Sequence, residues 1–299
     1  MLKYKGGPAQ LGRTKGNTIM STRRLLGVFA HPGDEVLISG ALLHYHSLNV
    51  ETGLVYATRG EGGEIADPAL ATPENLGQVR EEETRAAAEI LQVNHLWFLG
   101  YRDSGMADTA QHQDPRAFIH VRPAKAIGAL VAIIRQFRPQ VLITFDETGG
   151  YRHPDHIAIY KYATGAFHAA ADGVQYPELG PSHAISKLYY ASFAHRQIAM
   201  MTEWLEDQAY EGFLRDLDVE HMGFTDEQIN VVLDVDRWQE TKAQAWSKHR
   251  TQRHSNPVIS LLPQEMQRKL RSTEYYQLVA TRVGPDNVGD NDLFAHVQA

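Results

Sequence analysis

Residues 27–36 read GVFAHPGDEV. The aliphatic run RRLLGVFA (23–30) has the unbroken hydrophobicity of a strand buried on both faces, and it stops at His31. Pro32 stiffens the turn, and Asp34 opens a stretch that reads as a helix to about Ser47. A strand, a short polar turn with glycine and then a helix is the opening step of an alternating α/β chain. The turn sets a histidine and a carboxylate three positions apart, close enough in sequence to share one metal ion.

The alternation continues outward from this turn. NVETGLVYAT (49–58), HLWFLG (95–100) and QVLITFD (140–146) read as strands. ENLGQVREEETRAAAEILQ places Leu76, Val79, Ala86, Ile90 and Leu91 on one helical face. RPAKAIGALVAIIRQF and HPDHIAIYKYATGAFHAA read as helices, with Pro123 and Pro154 in their first turns. Further on, KLYYASFA and VVLDV read as strands, and Ile198–Leu217 and WQETKAQAWSKH as helices. The expected fold is α/β and Rossmann-like, a mainly parallel sheet with helices on both faces and a smaller C-terminal α/β part. Residues 23–176 form the expected core, and 177–299 the part that completes the pocket. The Pro- and Gly-bearing stretch Tyr176–Ser182 marks the boundary. Residues 1–22, rich in Lys and Arg and free of acidic residues, read as a disordered leader without the apolar segment of a signal peptide.

Composition removes several function classes. A net charge of −7 argues against nucleic acid and anionic membrane as main partners. The longest apolar stretch, AIGALVAII (126–134), stops at Arg135, well short of the roughly 20 residues of a membrane span. There is no cysteine, so any metal must be held by imidazole and carboxylate, and a cytoplasmic setting fits. A dinucleotide-binding turn would need G-x-G-x-x-G after the first strand, where this chain has AHPGDE. The four expected strand ends carry AHPGDE, TRGEGGE, GYRDSG and FDETGGYRHPDH, all polar and rich in histidine or carboxylate. Ligands of open α/β sheets bind at that edge.

The pairing of HPGDE with a later HPDH (153–156) resembles the LmbE-like or PIG-L zinc-dependent de-N-acetylases. The likeness extends through TRGEGGE, the helix holding Arg80, GYRDSGM, GGYRHPDH and AWSKHRTQ (245–252), and GGY before HPDH is most similar to the mycothiol-pathway branch. The resemblance implies a hydrolase that removes an acyl group from an amino-sugar derivative. It implies His31, Asp34 and His156 as ligands of Zn²⁺, or Fe²⁺, whose chemistry is to acidify water and polarise an amide carbonyl. His153 would stand unligated and, when protonated, stabilise the oxyanion or protonate the leaving amine. Asp155 would orient that imidazole, and Tyr151 would donate to the oxyanion. Arg80, Asp103 and Glu61 would contact a small amino-sugar substrate, although Arg80 also fits a surface pair with Glu83, and Asp103 a turn cap. His249 fits a polar core residue. Nothing in the pattern fixes the oligomeric state. On this reading, the imidazole nitrogens of His31 and His156 must lie within about 6 Å of each other.

One position departs from the family pattern, which has aspartate as general base where this chain has Gly33. Loss of a positioned base costs about 10²–10⁴-fold in rate. Three alternatives stay open: a weakened or non-catalytic metal- and sugar-binding protein, a substitute carboxylate, or an introduced substitution. Among Glu35, Glu64 and Asp146, Asp146 at a strand end is the better substitute, because Glu35 lies about 100° round the helix from Asp34.

Overall fold

The computed structural model describes residues 22–208, 221–253, 261–284 and 291–298. The leader and the second half of the expected Ile198–Leu217 helix lie outside the described residues.

Strands β1 (Arg24–Phe29), β2 (Glu51–Tyr56), β3 (His95–Phe98), β4 (Val141–Phe145) and β5 (Lys187–Ser192) form the parallel body of a seven-stranded sheet ordered β3-β2-β1-β4-β5-β7-β6. Strand β6 (Val231–Asp234) pairs antiparallel with β7 (Thr273–Thr281), which is also antiparallel to β5. The strands contributed by residues 177–299 therefore extend the same sheet. All but the first residues of β1 and β2, and every residue of β4, are buried, as expected of strands covered on both faces.

The helices are α1 (Ser39–Ser47), α2 (Leu76–Ile90), α3 (Pro123–Phe137), α4 (Gly149–Arg152), α5 (Pro154–Ala171), α6 (His195–Asp207), α7 (Gln239–Trp246) and α8 (Gln264–Ser272). The expected helix from Asp34 to Ser47 is two pieces, a 3₁₀ turn over Asp34–Leu37 and then α1. A buried carboxylate makes the second start possible. Glu274 of β7 accepts from Gly40 N (2.7 Å) and Ala41 N (2.8 Å), satisfying open donors in the first turn of α1. Lys242 Nζ (2.7 Å) and the Tyr276 hydroxyl (2.8 Å) hold that carboxylate in turn. On α2 the inward face is Leu76, Arg80, Thr84, Ala87 and Ala88 rather than a purely apolar stripe. Val79, Ala86 and Ile90 are half-buried beside it.

The Tyr176–Ser182 boundary stretch is pinned by one side chain. Arg135, buried in the last turn of α3, donates to the carbonyls of Ala169, Ala170, Asp172, Gln175, Tyr176 and Gly180. Strand order reverses direction between β1 and β4, so their carboxyl ends flank the crevice where this class of sheet binds ligands.

Candidate metal centre and active site

His31 and Asp34 follow β1, and His153, Asp155 and His156 follow β4, so the two motifs face each other across the crevice. Asp34 is fixed first. Its Oδ2 accepts from the backbone N–H groups of Ala30 (3.1 Å) and His31 (2.7 Å), which closes the turn on itself. Its Oδ1 lies 3.4 Å from His156 Nε2. Phe145 stacks on the His156 ring at 4.1 Å between centroids, and His156 Nδ1 lies 3.0 Å from Gly149 O. A carbonyl only accepts, so this bond puts the His156 proton on Nδ1 and leaves Nε2 with a lone pair.

His31 is oriented the same way. Its Nε2 lies 3.0 Å from Asp155 Oδ2, a fully buried carboxylate oxygen that also accepts from Ser104 N at 2.9 Å. With the proton on Nε2, His31 presents the Nδ1 lone pair to His156 Nε2 at 3.2 Å. Two imidazole lone pairs held this close, with Asp34 beside both, need a cation or a proton between them. Two nitrogens bound at about 2.0–2.1 Å to a tetrahedral ion would themselves be about 3.3–3.4 Å apart. The donor set and spacing therefore fit a divalent metal, with Asp155 supplying the carboxylate that commonly backs a ligating histidine.

The electrostatics agree with a site short of positive charge. Burial opposes protonation of His31, but Asp103, the hydrogen-bonded Asp155 and Asp34 outweigh it, and its pKa is raised to about 9. Burial works against the Asp34 carboxylate as well, yet His156 and His31 hold its pKa below the usual range. His153 goes the other way: burial and the neighbouring His31 and His156 push it down to about 3. It caps α5, and its Nδ1 accepts from Asp155 N at 3.1 Å, which leaves the proton on Nε2. The Nε2–H of His153 is thereby left as the ring's available donor. The Asp155 carboxylate hydrogen-bonds His31, while His153 receives only the Asp155 backbone N–H. The His31, His153 and His156 rings cluster within 4.6–5.1 Å of one another. Tyr151 stands edge-on to His156 at 5.1 Å, its hydroxyl held protonated by partial burial and by Asp34, Asp103 and Asp155.

Arg80 is buried rather than on the helix surface, and donates to Gly60 O (2.8 Å) and Glu64 O (2.9 Å). Asp103 accepts from Gly62 N (3.1 Å) and Gly105 N (2.8 Å), so it both caps a turn and sits 3.6 Å from His31 Nε2. Glu61 Oε2 accepts from Arg59 N (3.2 Å) within the same loop. Asp146 Oδ1 is occupied by Thr148 N, Thr148 Oγ1 and Gly150 N. Glu35 points away from the centre into contacts with Tyr56 and His249, and Glu64 is exposed. Ser104 was not singled out from the sequence, because its contribution is a backbone N–H with no residue-type signal.

Residues 26–167 match the family described as PIG-L, GlcNAc-PI de-N-acetylase. The chain is 38% identical to a Streptomyces avermitilis protein described as 1D-myo-inositol 2-acetamido-2-deoxy-alpha-D-glucopyranoside deacetylase, over 92% of this chain and 97% of the relative. It is 36% identical to a Geodermatophilus obscurus protein of the same description, over 92% and 98%. Among solved structures, the N,N'-diacetylchitobiose deacetylase of Pyrococcus horikoshii superposes with a TM-score of 0.59 at 18% identity, covering 93% of this chain and 87% of that one. The shared fold, the matched span and these two near-full-length relatives lead to one conclusion: the chain belongs to the PIG-L de-N-acetylase family.

Proposed function

We propose that this protein is a zinc-dependent de-N-acetylase acting on an N-acetylglucosamine joined to an inositol-like polyol. The observation that carries the reading is the 3.2 Å approach of His31 Nδ1 and His156 Nε2 beside Asp34, with an acceptor, Asp155 Oδ2 or Gly149 O, facing the far nitrogen of each ring. His31, Asp34 and His156 would hold the metal, with Fe²⁺ an acceptable substitute for this donor set. When bound, the metal supplies Lewis acidity to the acetamide carbonyl and acidifies water. The chain's own residues do the rest. His153, neutral with its proton on Nε2, donates to the oxygen that gains charge in the tetrahedral transition state, and Tyr151 donates beside it. Asp155 keeps His31 in the ligating tautomer. Arg80, Asp103 and Glu61 hold the 59–64 loop as the sugar-facing wall. The two homologues of near-full coverage support the substrate class, since both are described as acting on that glycoside.

Gly33 favours a second reading, a metal- and sugar-binding protein without turnover, because the turn between His31 and Asp34 offers no side-chain proton acceptor at that position. Asp146 is kept as the candidate substitute base, its Oδ1 already accepting from Thr148 and Gly150. Protein loaded with one equivalent of zinc and incubated with the N-acetylglucosaminyl inositol separates the two. Steady release of the free amine is expected; tight binding of the glycoside with no amine over many hours would leave the binding protein.

A further inference from the structure

The stretch AWSKHRTQ (245–252) takes no part in the chemistry above, yet two of its buried residues fasten two different parts of the site. His249, with no exposed surface, donates from Nε2 to Glu35 Oε1 at 2.6 Å. Glu35 directly follows Asp34, and its Oε2 accepts from Gly33 N (2.8 Å) and from the Tyr56 hydroxyl (2.6 Å). Two adjacent carboxylates therefore hold the turn. Asp34 takes the N–H groups of Ala30 and His31, and Glu35 takes that of Gly33. Two residues beyond His249, Thr251 grips α2 and the loop before it. Its N–H and hydroxyl donate to the two oxygens of Glu83 (2.9 and 2.7 Å), and its carbonyl accepts from Ala66 N at 2.9 Å. Glu83 lies on the same helix as Arg80, which holds that loop at Gly60 O and Glu64 O. A 3₁₀ turn over Arg250–Gln252 sets the spacing between the two anchors.

We infer that residues 249–251 are a clasp, with His249 a positioning residue of the metal-binding turn and Thr251, through Glu83, a positioning residue of the sugar-facing loop. The hold on the turn stands on hydrogen bonds alone; the sugar-facing role of the loop rests on the deacetylase reading. Both anchors act through backbone. His249 fixes Glu35, Glu35 fixes the Gly33 peptide, and that peptide lies between His31 and Asp34. Thr251 fixes Ala66 directly, and through Glu83 it ties the loop to the helix that carries Arg80. The two walls are thus set against each other by a segment 214 residues from Glu35 and 168 from Glu83 along the chain. Loosening one anchor should disturb one wall: zinc affinity for His249, sugar affinity for Glu83 and Thr251.

The full chain is compared with His249→Leu, His249→Gln and Glu83→Ala, and with Arg135→Met as a variant that loses stability away from the clasp. Zinc affinity is read by competition with a chromophoric chelator. Affinity for the deacetylated product, the glucosaminyl inositol, is read by calorimetry on zinc-loaded protein and needs no turnover. His249→Leu should weaken zinc binding about tenfold or more. His249→Gln loses the charge but keeps an N–H for Glu35, and its zinc affinity should stay within about threefold. Glu83→Ala should weaken product binding about fivefold or more and leave zinc affinity within about twofold. Arg135→Met should move neither by more than about twofold. Zinc affinity of His249→Leu, or product affinity of Glu83→Ala, within about twofold of the unaltered chain would overturn the clasp. Equal losses in Arg135→Met would overturn it too, by reducing both effects to general stability. Should His249→Leu fail to fold, Glu35→Leu combined with His249→Leu carries the zinc measurement, because an apolar pair in place of a buried ion pair is tolerated. The expected zinc losses, with neither product binding nor amine release by the unaltered chain, would confine the clasp to the metal-binding turn and remove the deacetylase reading instead.

Discussion

Asp155→Asn is the substitution that bears most closely on how the metal site is built. Asp155 Oδ2 accepts from both His31 Nε2 and Ser104 N, while Oδ1 is buried with no hydrogen-bond partner among the described residues. Asparagine keeps the shape and one accepting oxygen but removes the charge, and its amide N–H₂ then takes the unpartnered buried place. His31 loses the carboxylate that makes its other nitrogen a stronger donor. Second-sphere changes of this kind cost about 10–100-fold in metal affinity, equal to about 1.4–2.7 kcal/mol. The assay is chelator competition at pH 7.5, with circular dichroism to confirm that the apo protein is folded. Zinc affinity within about twofold of the unaltered chain would refute the assignment of Asp155 as the residue that orients a ligating His31.

Further outcomes follow from the same geometry. Because the apo pKa of His31 is about 9, a metal must displace its proton below that pH, and zinc affinity should weaken about tenfold per unit of pH lost from this group alone; a flat affinity between pH 6 and pH 8 would contradict it. His249→Gln removes one partner of a buried ion pair and should cost about 3–5 kcal/mol in urea denaturation. The His249 pKa is raised, so its contribution is present below the usual 6.5 and fades as pH rises through the folded value. The Glu35 pKa is lowered, so its contribution is present above 4.5 and fades as pH falls through the folded value. The loss in His249→Gln should therefore be greatest between these two reference values and shrink on either side. Arg135→Met strips the donors from the end of α5 and the 172–180 loop, and should destabilise the chain by about 3 kcal/mol, read as a shift in the urea midpoint.

Much of this was legible in the residues, for physical reasons that also set the boundary. The parallel strands show as continuous aliphatic runs because both faces are buried, and the two His-Pro motifs show because a ligand needs a particular residue type at a turn. Strand β7 and helix α8 went unread: α8 (QEMQRKLRS) is almost wholly polar, and β7 is recognisable chiefly through its pairing with β5 and β6. The break between the Asp34–Leu37 turn and α1 was hidden because its cause, Glu274, lies more than 230 residues away. Arg80 sits in a run of charges that reads as a solvated face, yet the carbonyls of Gly60 and Glu64 draw it inside. Which carboxylate serves which imidazole could not be read from HPDH either. Asp155 and His153 are two residues apart, but the helix start turns the Asp155 side chain to His31 and leaves only its N–H for His153.

The most direct measurement is X-ray absorption spectroscopy at the zinc edge of protein carrying one equivalent of the metal. Two imidazole shells at about 2.0–2.1 Å with a carboxylate oxygen in the same range, reduced to one imidazole in His156→Ala, is the predicted result. A spectrum with fewer than two imidazoles, or one unchanged by His156→Ala, would contradict the convergence of the first and fourth strand ends on a single ion.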